Sequence, residues 1–82
     1  MVDLNYKVGD YIKFRIFGDL IIGRITVIGI NSWDYIILYR ERSDSYPYAG
    51  YPNRYIYTLS RTFAIKYQVT IITQEEAFME IL

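Results

Sequence analysis

The stretch that decides the fold runs from Val8 to Ile25 and reads VGDYIKFRIFGDLIIGRI. Apolar residues at positions 12, 14 and 16 alternate with positions 11, 13 and 15, which is typical of a strand with one buried face. Gly18 and Asp19 interrupt this pattern, and glycine supplies the positive φ that two-residue hairpin turns require. The stretch therefore predicts a β-hairpin with strands at residues 11–17 and 20–30.

The register of this hairpin follows if Phe17 faces Leu20 across the turn. In that register the apolar side chains of both strands fall on one side, which is expected to be the core face. Phe14 then lies over Gly23, where it covers backbone that carries no side chain of its own.

The opposite side of the hairpin carries Lys13, Arg15 and Arg24, which we call the basic hairpin face. The same register places Lys13 opposite Arg24, with Arg15 diagonal to them. Like charges facing each other across strands destabilise a sheet by up to ~1 kcal/mol, so a carboxylate or phosphate of a partner would stabilise this face. The alternative is that these side chains extend into water, or that a glutamate at 75, 76 or 80 docks on them.

Three further strands are predicted at residues 35–40, 55–60 and 63–73. The last has the cleanest alternation in the chain, with apolar residues at every odd position from 63 to 71. Residues 41–53 read ERSDSYPYAGYPN, and both prolines of the chain fall here. That composition predicts a long loop.

The last residues change from strand-like to helix-like. Thr73 and Glu76 have the spacing of a capping box, in which the threonine hydroxyl accepts from a backbone N–H at the start of a helix. A helix over about 74–82 is predicted, with an apolar stripe of Ala77, Phe78, Ile81 and Leu82. A helix this short is marginal alone and must dock against the strands or a partner.

At 82 residues, the chain has room for one domain covering residues 1–82. The pattern predicts an all-β fold: five strands closed into a barrel over about residues 8–73, followed by the short C-terminal helix. The opening VGDYIKF, followed by Gly18-Asp19 and by Ile22-Gly23-Arg24-Ile25, resembles the first hairpin of SH3-like modules such as KOW and Tudor-like domains. The resemblance implies a small SH3-like barrel of the kind seen in small phage and bacterial proteins. An OB-like barrel, also of five strands, is the alternative.

The composition argues against catalysis. Cysteine and histidine are both absent, which removes thiol nucleophiles, imidazole bases and the common zinc sites. The serines have no histidine to activate them. We therefore expect no enzyme activity, no catalytic residues, no metal and no cofactor.

Aromatic residues are unusually frequent, and ten of them are tyrosines. Several lie together with an arginine in what we call the tyrosine segment: Tyr46, Tyr48, Tyr51, Arg54, Tyr55 and Tyr57. Tyrosine gives a stiff contact surface with a polar tip, which is why it is enriched in binding sites. The alternative is that these rings fold over an open barrel end and form a small second core.

These features favour a non-enzymatic binding protein that occupies a protein partner through its Tyr- and Arg-bearing loops. A specific form of this hypothesis is a phage-encoded inhibitor or sequestering protein acting on a host factor. A nucleic-acid- or nucleotide-binding module and a structural subunit of an assembly are the alternatives. The net charge is zero and the pI near 6.1, far below the pI above 9 typical of nucleic-acid binders. We expect no membrane contact, a cytoplasmic location (the host cytoplasm if viral) and a homo-oligomer more than a monomer.

Overall fold

The computed structural model describes residues 3–41 and 56–82. The described elements are β1 (Tyr11–Ile16), β2 (Asp19–Ile28), β3 (Ser32–Glu41), β4 (Ile56–Ser60), α1 (Arg61–Lys66), β5 (Thr70–Ile72) and α2 (Gln74–Ile81). The five strands form one antiparallel sheet in the order β4-β3-β2-β1-β5. The predicted all-β class is confirmed.

The sheet is open, so the predicted closure into a barrel is wrong. Over residues 3–41 and 56–82, β4 and β5 are the two edges and do not pair with each other. The physical reason lies in the length of the last strand. Residues 63–66, expected to begin the last strand, are helical, which leaves β5 with three residues, all paired to β1.

The β1–β2 hairpin exists, but its turn and register differ from the prediction. The turn residues are Phe17 and Gly18, which have φ values of 51° and 83°. Positive φ at both central positions is the requirement of a type I′ hairpin turn. The expected turn at Gly18 and Asp19 is therefore wrong, and Ile16 rather than Phe17 closes the ladder, opposite Asp19.

This change slides the strands by two residues and so preserves their faces. Phe14 lies opposite Ile21, and Gly23 lies opposite Ile12 rather than Phe14. Ile12 and Phe14 still point into the core, where they are 0% and 4% exposed. The side assignment was correct, and the partner of each residue was wrong.

Gly23 is required by a close approach of β3. A Cβ at this position would lie 2.9 Å from the backbone oxygen of Ile36 and 3.1 Å from a ring carbon of Tyr35. The pairing of β2 with β3 shifts between Ile22 and Gly23 and again between Ile25 and Val27. Such bulges bend a strand, and here β2 stays paired with β3 on both sides of each shift.

Helix α1 replaces the first part of the predicted fifth strand. Its N-cap is Ser60, whose hydroxyl oxygen accepts from the backbone N–H of Phe63 at 3.1 Å. The helix buries Ala64 completely and brings Phe63 and Tyr67 together, with ring centroids 4.5 Å apart. Ile65, which the alternating pattern places on the same side as Phe63 and Tyr67, is 51% exposed. The spacing of four between the two aromatic rings was the helical signal.

The core lies between one face of the sheet and α1. Tyr6, before β1, is 3% exposed, and its hydroxyl donates to the backbone oxygen of Val69 at 2.6 Å. Its ring also meets the ring of Trp33 edge-on at 4.8 Å. The N-terminal segment thus closes one side of the core.

Helix α2 confirms the predicted C-terminal helix and its cap. The Thr73 hydroxyl accepts from the backbone N–H of Glu76 at 3.1 Å. The helix lies against β1 and β2 on the face opposite the core, which we call the outer face. Ala77 is its fully buried residue. Ile22, which points to this outer face, is 0% exposed.

Candidate binding surfaces

The basic hairpin face is divided among separate contacts. Lys13 lies opposite Ile22 and Arg24 opposite Tyr11, so the predicted pairing of Lys13 with Arg24 is wrong. The reason is the two-residue change of register described above. Arg15 is exposed at the hairpin end, where its guanidinium donates to the Gly18 carbonyl at 3.4 Å.

Lys13 is neutralised within the chain. Its Nζ lies 3.0 Å from Oε1 of Glu80, and both side chains are 37% exposed. The alternative that a C-terminal glutamate docks on the hairpin is therefore confirmed for this lysine. An ion pair this exposed contributes little to stability, about 0–1 kcal/mol, and it gives Lys13 a carboxylate partner within the chain.

Arg24 lies on an aromatic ring on the outer face. Its guanidinium carbon is 5.3 Å from the centroid of the Tyr11 ring, and its Nε donates to the Gly9 carbonyl at 3.4 Å. The other side of Tyr11 meets α2, where the Phe78 ring stands edge-on at 6.0 Å. These contacts hold the guanidinium in place while leaving it exposed.

The register extends this position into a row across the sheet. Arg24 lies opposite both Tyr11 and Ile36, and Ile36 lies opposite Ile56. Directly opposed residues point to the same face. Together with Phe78 they form what we call the outer strip. Sequence reasoning missed this set because only the cross-strand register brings its members together.

The tyrosine segment falls almost entirely outside the described residues. The predictions for Tyr46, Tyr48, Tyr51, Arg54 and Tyr55 fall outside these residues, and Tyr57 alone is described. Tyr57 lies opposite Tyr35 on the core face of edge strand β4. The two rings stack with centroids 5.8 Å apart and planes at 29°. Tyr57 nevertheless remains 37% exposed.

Tyr57 lies at the exposed end of a continuous row of aromatic rings. Tyr35 meets Phe14 edge-on at 6.0 Å, and Phe14 meets Phe63 edge-on at 5.6 Å. Phe63 in turn contacts Tyr67. The row runs from β4 through the core to α1, so the exposed ring of Tyr57 is supported by buried neighbours. Tyr57 is compatible with both hypotheses, contact with a partner and packing in a small second core, because its ring is packed on one side and accessible on the other.

An ion pair between exposed Arg40 and buried Asp19 lies on the same face, near the end of β3. Arg40 Nη2 and Nε lie 3.0 and 3.2 Å from Oδ2 of Asp19, which is 1% exposed.

Burial raises the pKa of Tyr35 to about 12; Tyr57 adds to this increase and the charge of Arg40 opposes it. The Tyr35 hydroxyl therefore keeps its proton to a higher pH than an exposed tyrosine hydroxyl does.

Across residues 3–41 and 56–82, no group of three or more His, Cys, Asp or Glu side chains is arranged to hold a metal ion. A shallow depression of about 480 Å³ opens to solvent beside Thr73, Gln74, Glu75 and Phe78.

In the same described ranges, no helix has the length and apolar character needed to cross a membrane.

Comparison with known proteins adds no further identification. No protein-family profile, no curated protein and no solved structure matches the chain.

Proposed function

We propose that this chain is a non-enzymatic binding protein that occupies a protein partner, with Tyr57 as one of its contact residues. The observation that carries the proposal is the stacking of Tyr57 on Tyr35. A ring that is 37% exposed and fixed by a buried neighbour loses little side-chain freedom when a partner packs on it. Tyrosine is also among the residues most enriched at interface positions that dominate affinity.

A protein partner is favoured over a nucleic acid by the arrangement of charge. Nucleic-acid affinity depends on several cations that contact phosphates together. Here Lys13 is paired with Glu80, and Arg15 lies at the hairpin end while Arg24 lies on Tyr11. The chain as a whole has a net charge of zero. These observations support recognition by shape and aromatic contact.

The proposal is tested by capturing partners from a cell lysate with three forms of the full chain. The forms are the unchanged chain, Tyr57→Ser, and the control Tyr39→Ser, which alters a half-buried tyrosine of β3 on the outer face. We expect one protein to be enriched by the unchanged chain and the control, and at least tenfold less by Tyr57→Ser. Equal enrichment by Tyr57→Ser, or enrichment that nuclease removes, would contradict the proposal.

A loss of folding would imitate a loss of binding, so a second variant separates the two. Tyr57→Phe keeps the ring that stacks on Tyr35 and removes only the hydroxyl. Urea unfolding followed by the fluorescence of Trp33, the single tryptophan, then shows whether each variant is folded. A folded Tyr57→Phe chain is expected to keep most of the binding, because the ring supplies most of the contact area.

Three further parts of the proposal rest on the sequence. They are the SH3-like resemblance, the cytoplasmic location and the role as a phage-encoded inhibitor. The resemblance rests on the residues of the first hairpin, from Val8 to Ile25. A homo-oligomer joined through sheet edges is supported by β4, an edge strand that carries no charged residue and no proline.

A further inference from the structure

The outer strip, on the sheet face opposite Tyr57, has the composition of a second contact surface. Ile56 is 63% exposed and Phe78 is 47% exposed, while Tyr11 and Ile36 are half-buried. Arg24 lies between these apolar groups. Aromatic residues and arginine are enriched at protein interfaces, and charged residues are generally depleted from interface centres. A single fixed arginine within an apolar row is therefore a specific feature.

Arg24 has donors to spare. Its guanidinium carries several N–H groups, and among the described residues Nε alone is used in a hydrogen bond, to Gly9. In the part of the chain that the structure describes, no carboxylate lies within 4.0 Å of this guanidinium. The cation–π contact with Tyr11 holds the group without using its hydrogen-bond donors. The arginine is thus positioned to bind an anionic ligand.

The surroundings of Arg24 select the kind of anion. The nearest lysine on this face, Lys13, is already paired with Glu80. Asp34 lies in the adjacent row, where its carboxylate accepts from the Thr58 hydroxyl at 3.0 Å. A single cation in this cross-strand row, with a carboxylate in the next row, disfavours a polyanion or a doubly charged phosphate. A single carboxylate can pair bidentately with the arginine.

The dimensions of the strip fit an extended peptide. Neighbouring strands lie about 4.8 Å apart, so the row from Tyr11 to Ile56 crosses about 14 Å. An extended segment of about four residues spans the same distance. Apolar side chains on both sides of its acidic residue would cover Tyr11 at one end and Ile56 at the other.

We propose that the outer strip binds a protein segment that presents one Asp or Glu carboxylate between apolar side chains, with Arg24 as its anchor. This surface goes beyond the proposed function and does not depend on Tyr57. Failure of one surface would therefore leave the other standing, and variants at Arg24 and Tyr57 distinguish the two.

The test uses a random peptide library displayed on phage and selected against the full chain. We expect enrichment of peptides with an acidic residue flanked by apolar ones. Arg24→Gln should weaken the selected peptides at least tenfold, and so should changing their acidic residue to its amide. Because the two changes remove the same ion pair, combining them should cause little further loss.

The control variant is Arg15→Gln, which removes an exposed arginine from the same face of β1 at the hairpin end. It should leave peptide binding within twofold of the unchanged chain. Competition with single-stranded DNA and with inorganic phosphate at matched ionic strength should have no effect. Urea unfolding of Arg24→Gln establishes that the variant is folded.

Several results would overturn this proposal. They are an absence of enriched peptides, enrichment without an acidic residue, equal binding by folded Arg24→Gln, an equal loss in Arg15→Gln, and displacement by DNA or phosphate. Loss of the selected peptides in Tyr57→Ser with no loss in Arg24→Gln would place the contact on the opposite face of the sheet.

Discussion

Replacing Gly23 by alanine should destabilise the protein, although this substitution commonly stabilises strands. Alanine restricts the unfolded chain and would contribute about 0.4–1 kcal/mol to stability at a position without strain. Here the new Cβ would lie 2.9 Å from the Ile36 backbone oxygen, 3.1 Å from the Tyr35 ring and 3.4 Å from Ile12. The nearest atom belongs to the backbone, so a change of rotamer cannot relieve the contact.

The expected net loss is about 1–2 kcal/mol. Overpacking in a close-packed core costs about 1–3 kcal/mol, and the gain from the unfolded state offsets part of it. For a domain of this size, such a loss lowers the Tm by about 5–15 °C. The assay is urea unfolding followed by the fluorescence of Trp33, which is 8% exposed in the core. The midpoint should fall while the slope stays unchanged.

Thr62→Ala, at an exposed position of α1, is the matched control and should change stability by no more than about 0.5 kcal/mol. A Gly23→Ala chain as stable as the unchanged chain would refute the close approach of β2 and β3. It would also reopen the register in which Phe14 covers Gly23.

Three further predictions concern the turn, the buried tyrosines and pH. Phe17→Asn should stabilise the protein by about 0.5–1 kcal/mol, because asparagine adopts the positive φ of this turn more readily than phenylalanine; a lower urea midpoint would contradict it. Tyr6→Phe should cost about 1–3 kcal/mol, since it removes the donor to the buried Val69 carbonyl; an unchanged midpoint would show that the bond contributes nothing. Burial raises the pKa of both Tyr6 and Tyr35 from 10.0 to about 12. The folded state then holds protons that the unfolded state releases, so the free energy of unfolding should decrease as pH rises from 10 to 12; urea midpoints that stay constant across this window would oppose the assignment.

In the first hairpin the faces were predicted correctly and the register was not. Alternation in the sequence assigned Ile12 and Phe14 to the core correctly, because a strand's side chains alternate between faces whatever its register. The turn was misplaced by one residue, since Phe17 adopts a positive φ that bulky side chains rarely take. That single error moved each cross-strand partner by two positions, and so it misplaced Lys13 against Arg24.

Helix α1 shows where a pattern was ambiguous. Phe63, Ile65 and Tyr67 fit a strand by alternation, while Phe63 and Tyr67 also fit one face of a helix. The capping hydroxyl of Ser60 and the burial of Ala64 against the core favour the helix. In contrast, the cap at Thr73 was readable because its partner N–H lies three residues along the chain.

Tyr57 was predicted as a contact residue from composition, and Arg24 from charge; both remain predictions. Their neighbours were not predicted, because Tyr35 and Ile36 reach them only through the pairing of separate strands. The tyrosine segment before Tyr57 stays a prediction.

The sequence by itself determined the local properties of this protein: the β class, the two faces of the first hairpin, the C-terminal helix and the lack of thiol and imidazole chemistry. Each depends on residue type or on spacings of a few residues, so it can be read without knowing what lies nearby. Only the tertiary structure decided the register, the open sheet, the pairing of Lys13 with Glu80 and the outer strip around Arg24. These depend on contacts between residues distant in the chain, where a two-residue slip preserves every face and changes every partner.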